Sequence, residues 1–143
     1  MKSTIICTML ALAMTGCAST YSQFKDKSLP ETQYAKVRPL KVNNGWTPMV
    51  ETFALAQDIA GGKKNWVKLG SFMVDAPTNV NMLPGEYMFI FQCRTGSSYA
   101  FPMTVMKLEA GGGGKVYSSR CFNAVDDKVG VEIKESTIDA VEK

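Results

Sequence analysis

Apolar and polar residues alternate in short runs along most of this chain, and turn residues interrupt the runs every eight to twelve positions. The strongest run is 87–93. Tyr87, Phe89, Phe91 and Cys93 fall on one face, and Met88, Ile90 and Gln92 on the other. A strand apolar on both faces belongs at the centre of a sheet, covered on both sides or lying between the core and another element. Val129, Val131 and Ile133 alternate with Gly130, Glu132 and Lys134, which predicts a half-exposed strand. Further strands are predicted at 37–42, 46–56, 66–74, 78–83, 101–108 and 116–122. Pro39 interrupts the first of these and so predicts an edge position, because proline cannot donate to a ladder. Residues 55–59 read either as the end of a strand or as a helical turn.

Turn chemistry fills the gaps: Asn43-Asn44-Gly45, Gly61-Gly62, Ala76-Pro77, Pro84-Gly85, the loop around Gly96, four glycines at 111–114, and Asp126-Asp127. Pro84 presets φ and Gly85 can take φ > 0, as a type II turn requires. Residues 136–143 read as a last helical turn or a frayed end. Some seven short strands at this spacing predict an all-β fold, a small antiparallel β-sandwich or barrel occupying 36–143, with the sandwich preferred.

The N-terminus follows another pattern. Lys2 precedes an apolar stretch at 5–14, too short to cross a ~30 Å hydrocarbon core as a helix. Ala13-Met14-Thr15-Gly16-Cys17 resembles the lipobox of bacterial lipoproteins. That resemblance implies a signal peptide at 1–16, cleavage before Cys17, and acyl chains of the palmitate kind on that cysteine. The family usually carries leucine where this chain has Met14. In the same family an aspartate after the cysteine marks inner-membrane retention. Ala18 therefore implies the outer membrane, on its periplasmic face. Several acyl chains anchor stably where one is marginal. Residues 17–35 are polar and lack a clear period, so they read as a lipid-anchored flexible tether. A partner-binding segment with Tyr21, Phe24 and Tyr34 as anchors is the other reading.

A second resemblance lies in the domain. Leu83-Pro84-Gly85-Glu86-Tyr87, Phe91-Gln92-Cys93, Leu108-Glu109-Ala110-Gly111 and Val116-Tyr117 resemble the PG-x-Y … C … AG-x-x-Y pattern of small transthyretin-like or PEGA-like sandwich lipoproteins. The match covers about 35 residues, and four glycines stand where two are usual.

Composition narrows the chemistry. Of 143 residues, 45% are hydrophobic and 20% charged, ordinary for one folded domain. A net charge of +3, or +2 without Lys2, is too mild for a nucleic-acid partner. The chain has no histidine, which removes Ser-His-Asp and Cys-His catalysis and every histidine-ligated zinc site. Cys7 leaves with the signal peptide. Cys93 and Cys121 remain, and in an exported protein the pair reads as a disulfide, with two buried thiols as the alternative.

Other constellations fail their tests. Gly111 to Lys115 lacks the spacing and following helix of a phosphate loop. Asp126-Asp127 lacks the alternating ligands of a calcium loop. Glu51, Glu86, Glu109 and Asp75 show no spacing that pairs two carboxylates for glycoside chemistry. Trp46, Trp66, Tyr99, Phe101 and Tyr117 could line a groove, but core packing is the stronger expectation in so small a domain. Arg94 and Arg120 flank the cysteines and read as solvated surface. The sequence thus predicts a non-enzymatic, membrane-tethered binding or assembly module of the cell envelope, without cofactor or metal and with an envelope protein as partner. The alternative is a glycan- or peptidoglycan-binding module using Trp46 and Trp66. An enzyme working with carboxylates or lysine alone is a third reading.

Overall fold

The computed structural model describes residues 20–24, 28–41, 44–110 and 116–142. The strands, in chain order, are β1 (Thr20–Ser22), β2 (Ala35–Pro39), β3 (Thr47–Ile59), β4 (Lys63–Ser71), β5 (Asn79–Met82), β6 (Gly85–Thr95), β7 (Ser98–Ala100), β8 (Met103–Leu108), β9 (Val116–Asn123) and β10 (Val129–Ser136). One sheet has the order β1-β5-β2-β9-β10; the other has β4-β3-β6-β7, with β8 also paired to β6. The two sheets bury a common core, so the all-β sandwich stands. Most ladders are antiparallel, but β1 with β5 and β2 with β9 are parallel. The two strands not predicted, β1 and β7, have three residues each.

The core follows from the alternation. Tyr87, Phe89, Phe91 and Cys93 of β6 have no exposed surface, and Val50 and Phe53 of β3 lie opposite Phe91 and Phe89. The facing sheet contributes Val37, Val80, Tyr117, Cys121, Val131 and Ile133. Phe53, Tyr87, Phe89 and Phe91 form an aromatic row with ring centroids 5.8–6.4 Å apart. Burying each such side chain contributes roughly 1.5–3 kcal/mol. A disulfide between Cys93 of β6 and Cys121 of β9 ties the two sheets through this core. Residues 55–59 continue β3 as strand.

Five expectations change. β2 is an interior strand, not an edge. Its antiparallel pairing to β5 ends at Val37 opposite Val80, so Pro39 lies past the ladder that its missing N–H would have weakened. Arg38 fills the gap: its Nη1 donates to the carbonyls of Val37 and Val80, each at 3.0 Å, and its Nη2 to Asn81 Oδ1 at 2.7 Å.

Gly85 does not have the positive φ of a type II turn. It opens β6 opposite Leu108, and a Cβ there would lie 2.8 Å from Leu55 Cδ1. The neighbour close to this glycine is the end of the Leu55 side chain, which would have to shift to admit a Cβ.

The second face of β6 is only half covered. Met88 and Ile90 lie on an outer surface over which no layer is packed among the described residues.

Part of the segment read as tether belongs to the sandwich. Tyr21 of β1 packs its ring 5.6 Å from Phe53 and 5.0 Å from Phe72, and Gln23 N donates to Asn81 O at 3.0 Å. Phe24 and Tyr34 pair with each other at 4.8 Å. The aromatics considered as partner anchors thus serve contacts within the chain.

The last segment is not frayed as far as it is described. After β10, Ile138–Ala140 form a 3-10 turn and Val141, fully buried, bridges Leu40.

Candidate functional site

The two outer faces of the sandwich differ in chemistry. On the β1-β5-β2-β9-β10 sheet the outward positions are mostly polar and bonded to one another. Asn81 Nδ2 donates to Ser22 Oγ at 3.0 Å, extending the Arg38 network. Arg120 Nη2 donates to Glu132 Oε1 at 2.6 Å, and Lys134 Nζ lies 3.0 Å from Glu132 Oε2. The Lys134 ammonium, with Arg120 beside it, holds the Glu132 carboxyl below its ordinary range. Arg120 also lies over the Phe122 ring at 5.7 Å.

On the other sheet the outward row of the β7–β8 edge is apolar. Tyr99 pairs with Arg94, Met103 with Ile90 and Val105 with Met88, so alternation sends all of them outward. Their exposures are 50% for Tyr99, 57% for Phe101, 59% for Met103 and 46% for Val105. Behind this row Ile90 and Met88 continue the surface onto β6. Basic groups border it: Lys107 at the end of β8, and Arg94, whose guanidinium lies over Tyr99 at 5.6 Å. Lys64 pairs with Glu86 at the far corner. Scattered exposed apolar residues are normal, whereas a contiguous apolar patch marks an interaction surface.

A scan against family models, a search of curated proteins and a search of solved structures each return no match.

The residues singled out from sequence separate into distinct places. Cys93 and Cys121 meet in the core, with Cα atoms 5.9 Å apart. Cys17 lies outside the described residues, as do Gly111 to Lys115. Trp46 packs against the core and its Nε1 donates to Asn123 Oδ1 at 3.0 Å, next to the end of β9. Trp66 pairs with Ala56 on the outer side of the other sheet, level with the start of β6. Thr47, beside Trp46, pairs with Arg94 near the end of β6. The eight residue steps from Glu86 to Arg94 span about 27 Å, so the two tryptophans do not share a groove.

Tyr117 is buried, and its hydroxyl accepts from Glu109 N at 2.9 Å. Tyr99 and Phe101, expected in the core, are on the surface instead, because β7 and the start of β8 form the edge of the sheet among the described residues.

Acid–base groups are not gathered. Glu86 and Glu109 lie at the end where β6 starts and β8 finishes; Asp75 lies in the connection from β4 to β5, at the other end. Among the described residues no three Asp, Glu or Cys side chains are grouped to hold a cation. Asp126-Asp127 form a tight turn with φ of 64° and 56°. An S-x-x-K spacing, expected to be absent after Cys17, is present as Ser22-Gln23-Phe24-Lys25. Ser22 lies in a strand and its Oγ accepts from Asn81, and Lys25 lies outside the described residues. The Tyr87 hydroxyl, 2.8 Å from Leu83 O and 3.0 Å from Gln23 Oε1, is pushed up by burial and serves to hold β1. Among the described residues no helix is long and apolar enough to cross a membrane.

Proposed function

We propose that this protein is a non-enzymatic lipoprotein of the cell envelope that works as a docking module. Cleavage before Cys17 and acylation of that residue would anchor it to the periplasmic face of the outer membrane. Its sandwich binds a partner protein through the outer face of the β4-β3-β6-β7/β8 sheet. The observation that supports docking is the apolar row Tyr99, Phe101, Met103 and Val105, backed by Met88 and Ile90. Such a surface binds by excluding water, with the bordering cations giving orientation. Anchoring confines the domain to the membrane and raises its effective concentration for neighbours, so a modest surface suffices. The glycan reading draws less support, since Trp46 and Trp66 point to separate parts of the molecule.

The test is a photo-crosslinking residue placed at Met103, with Lys134 on the opposite outer face as control. One envelope protein captured from 103 and not from 134, and lost in a Phe101→Ser, Val105→Ser variant, is the expected result. Recovery of the protein alone, or with peptidoglycan fragments only, would overturn it. Intact mass of the detergent-extracted protein checks acylation of Cys17 independently.

A further inference from the structure

Three large apolar side chains are far more exposed than any other described residue of their kind. They are Met73 at 93%, Val125 at 83% and Val74 at 78%; the next, Met103, is at 59%. They lie on two loops, one joining β4 to β5 and the other joining β9 to β10. Strand directions place both loops at the same end of the sandwich. β1 runs parallel to β5, with Thr20 level with Asn79. β2 is antiparallel to β5, β9 is parallel to β2, and Asn123 at the end of β9 pairs with Val129 at the start of β10. Hence Thr20, the start of β5 and the end of β9 share one end, and the chain from Cys17 joins the domain there.

The loops are held at their bases, leaving the tips outward. Phe72 N donates to Glu51 O at 2.7 Å and Val50 N to Pro77 O at 2.8 Å, bracketing Met73 and Val74. Ala124 N donates to Lys128 O at 2.7 Å, closing the turn that carries Val125. Asp75, Asp126 and Asp127 adopt left-handed φ of 56–64°, a conformation few residues other than glycine accept. The tip geometry is therefore built in, and its outermost groups are apolar.

We propose that this end of the sandwich seats in the bilayer surface, with Met73, Val74 and Val125 inserted among the lipid headgroups and upper acyl chains. The inference rests on acylation of Cys17. Three residue steps separate Cys17 from Thr20, a reach of at most about 11 Å when fully extended. The headgroup layer on each side of a bilayer is itself roughly 5–8 Å deep. An acylated Cys17 thus leaves no room for a long stand-off, and the loops at Thr20's end meet lipid first. The charges on these loops, Asp75, Asp126 and Asp127 against Lys128, are net acidic. Insertion is accordingly driven by apolar burial and needs no anionic lipid.

The experiment uses the mature protein reconstituted in phosphatidylcholine–phosphatidylethanolamine vesicles. An environment-sensitive fluorophore is attached through cysteine at Met73 or, as control, at Ile59, which lies at the opposite end of the sandwich in the β3–β4 hairpin. Intact mass is measured on the same samples. The expected result is an acylated protein whose label at 73 is blue-shifted and quenched several-fold more by shallow spin-labelled lipid than the label at 59, unchanged by high salt. An acylated protein whose labels at 73 and 59 are equally solvated would overturn the insertion alone. An unacylated Cys17 would overturn the anchor and, with it, the insertion.

Discussion

Reducing the Cys93–Cys121 bond should cost this domain a large part of its stability. The bond closes a loop with a sequence separation of 28 and joins β6 of one sheet to β9 of the other. Restricting the unfolded chain over such a loop is worth about 12 cal/mol/K, or about 3.6 kcal/mol at 25 °C, in the chain-entropy treatment. Domains of this size have total stabilities of about 5–15 kcal/mol. With an unfolding entropy of roughly 2.1 cal/mol/K per residue, the same loss lowers Tm by about 14 °C. The assay is equilibrium guanidinium unfolding followed by tryptophan fluorescence, since Trp46 packs on the core. Oxidised protein is compared with protein refolded in a phosphine reductant. The chain is the same in both, so no side chain is removed from the core. Both residues are buried, so reduction must be done from the unfolded side. A loss under about 1 kcal/mol, with thiol titration showing both cysteines free, would refute the entropic argument. It would mean that the reduced unfolded chain already keeps the two strands near each other.

Three further outcomes follow from named contacts. Tyr21→Ala removes a ring from the Phe53–Phe72 cluster and should cost about 2 kcal/mol, with faster hydrogen exchange at Gln23 N as the local readout. Gly70→Ala places a methyl group into the Phe53 ring and should cost about 1–3 kcal/mol by urea unfolding, because that ring is fully buried and must move. Glu132→Gln should reduce stability slightly at pH 7 and flatten the acid limb of a pH series. The sign follows from the lowered carboxyl: its stabilisation is present above the ordinary value near 4.5 and is lost as pH falls through the lowered folded value. High salt should shrink this difference, and an undiminished acid limb in the variant would refute the assignment.

What was legible in the sequence was whatever one strand encodes by itself. β6 and β10 each turn the face that their alternation marks into the core, Tyr87 to Cys93 in one and Val131 with Ile133 in the other. The cysteine pair was legible because Cys93 and Cys121 are the two cysteines in the strand-patterned part of the chain. What was hidden depends on partners distant in sequence. Pro39 looked like an edge residue because nothing local tells that the pairing with β5 ends two residues before it, at Val37. Gly85 looked like turn chemistry because the Leu55 side chain that crowds it comes from another strand. Tyr21 looked like tether because its pocket is made by Phe53 and Phe72. The exposed row on β8 was hidden for a related reason. Tyr99 to Val105 is apolar at both parities, the same signature as β6, and only the sheet order distinguishes a covered strand from an edge.

The parallel pairings bear on the order in which the domain assembles. Residues 47–108 form β3, β4, β6, β7 and β8, joined mostly by short hairpins into one sheet, with β5 the only strand lent elsewhere. These contacts are local and can form early. The facing sheet is gathered from both ends of the chain: Thr20 meets Asn79, and Lys36 meets Val116. Its middle strand, β2, stays without its β9 neighbour until most of the polypeptide has been made. Loop closure of that length is slow, so a half-finished molecule presents one complete sheet with a bare aromatic underside. A chain emerging N-terminus first therefore passes through a period of greatest vulnerability just before β9 appears. A chaperone that shields the Tyr87–Phe91 side during that interval would raise yield without touching the finished protein.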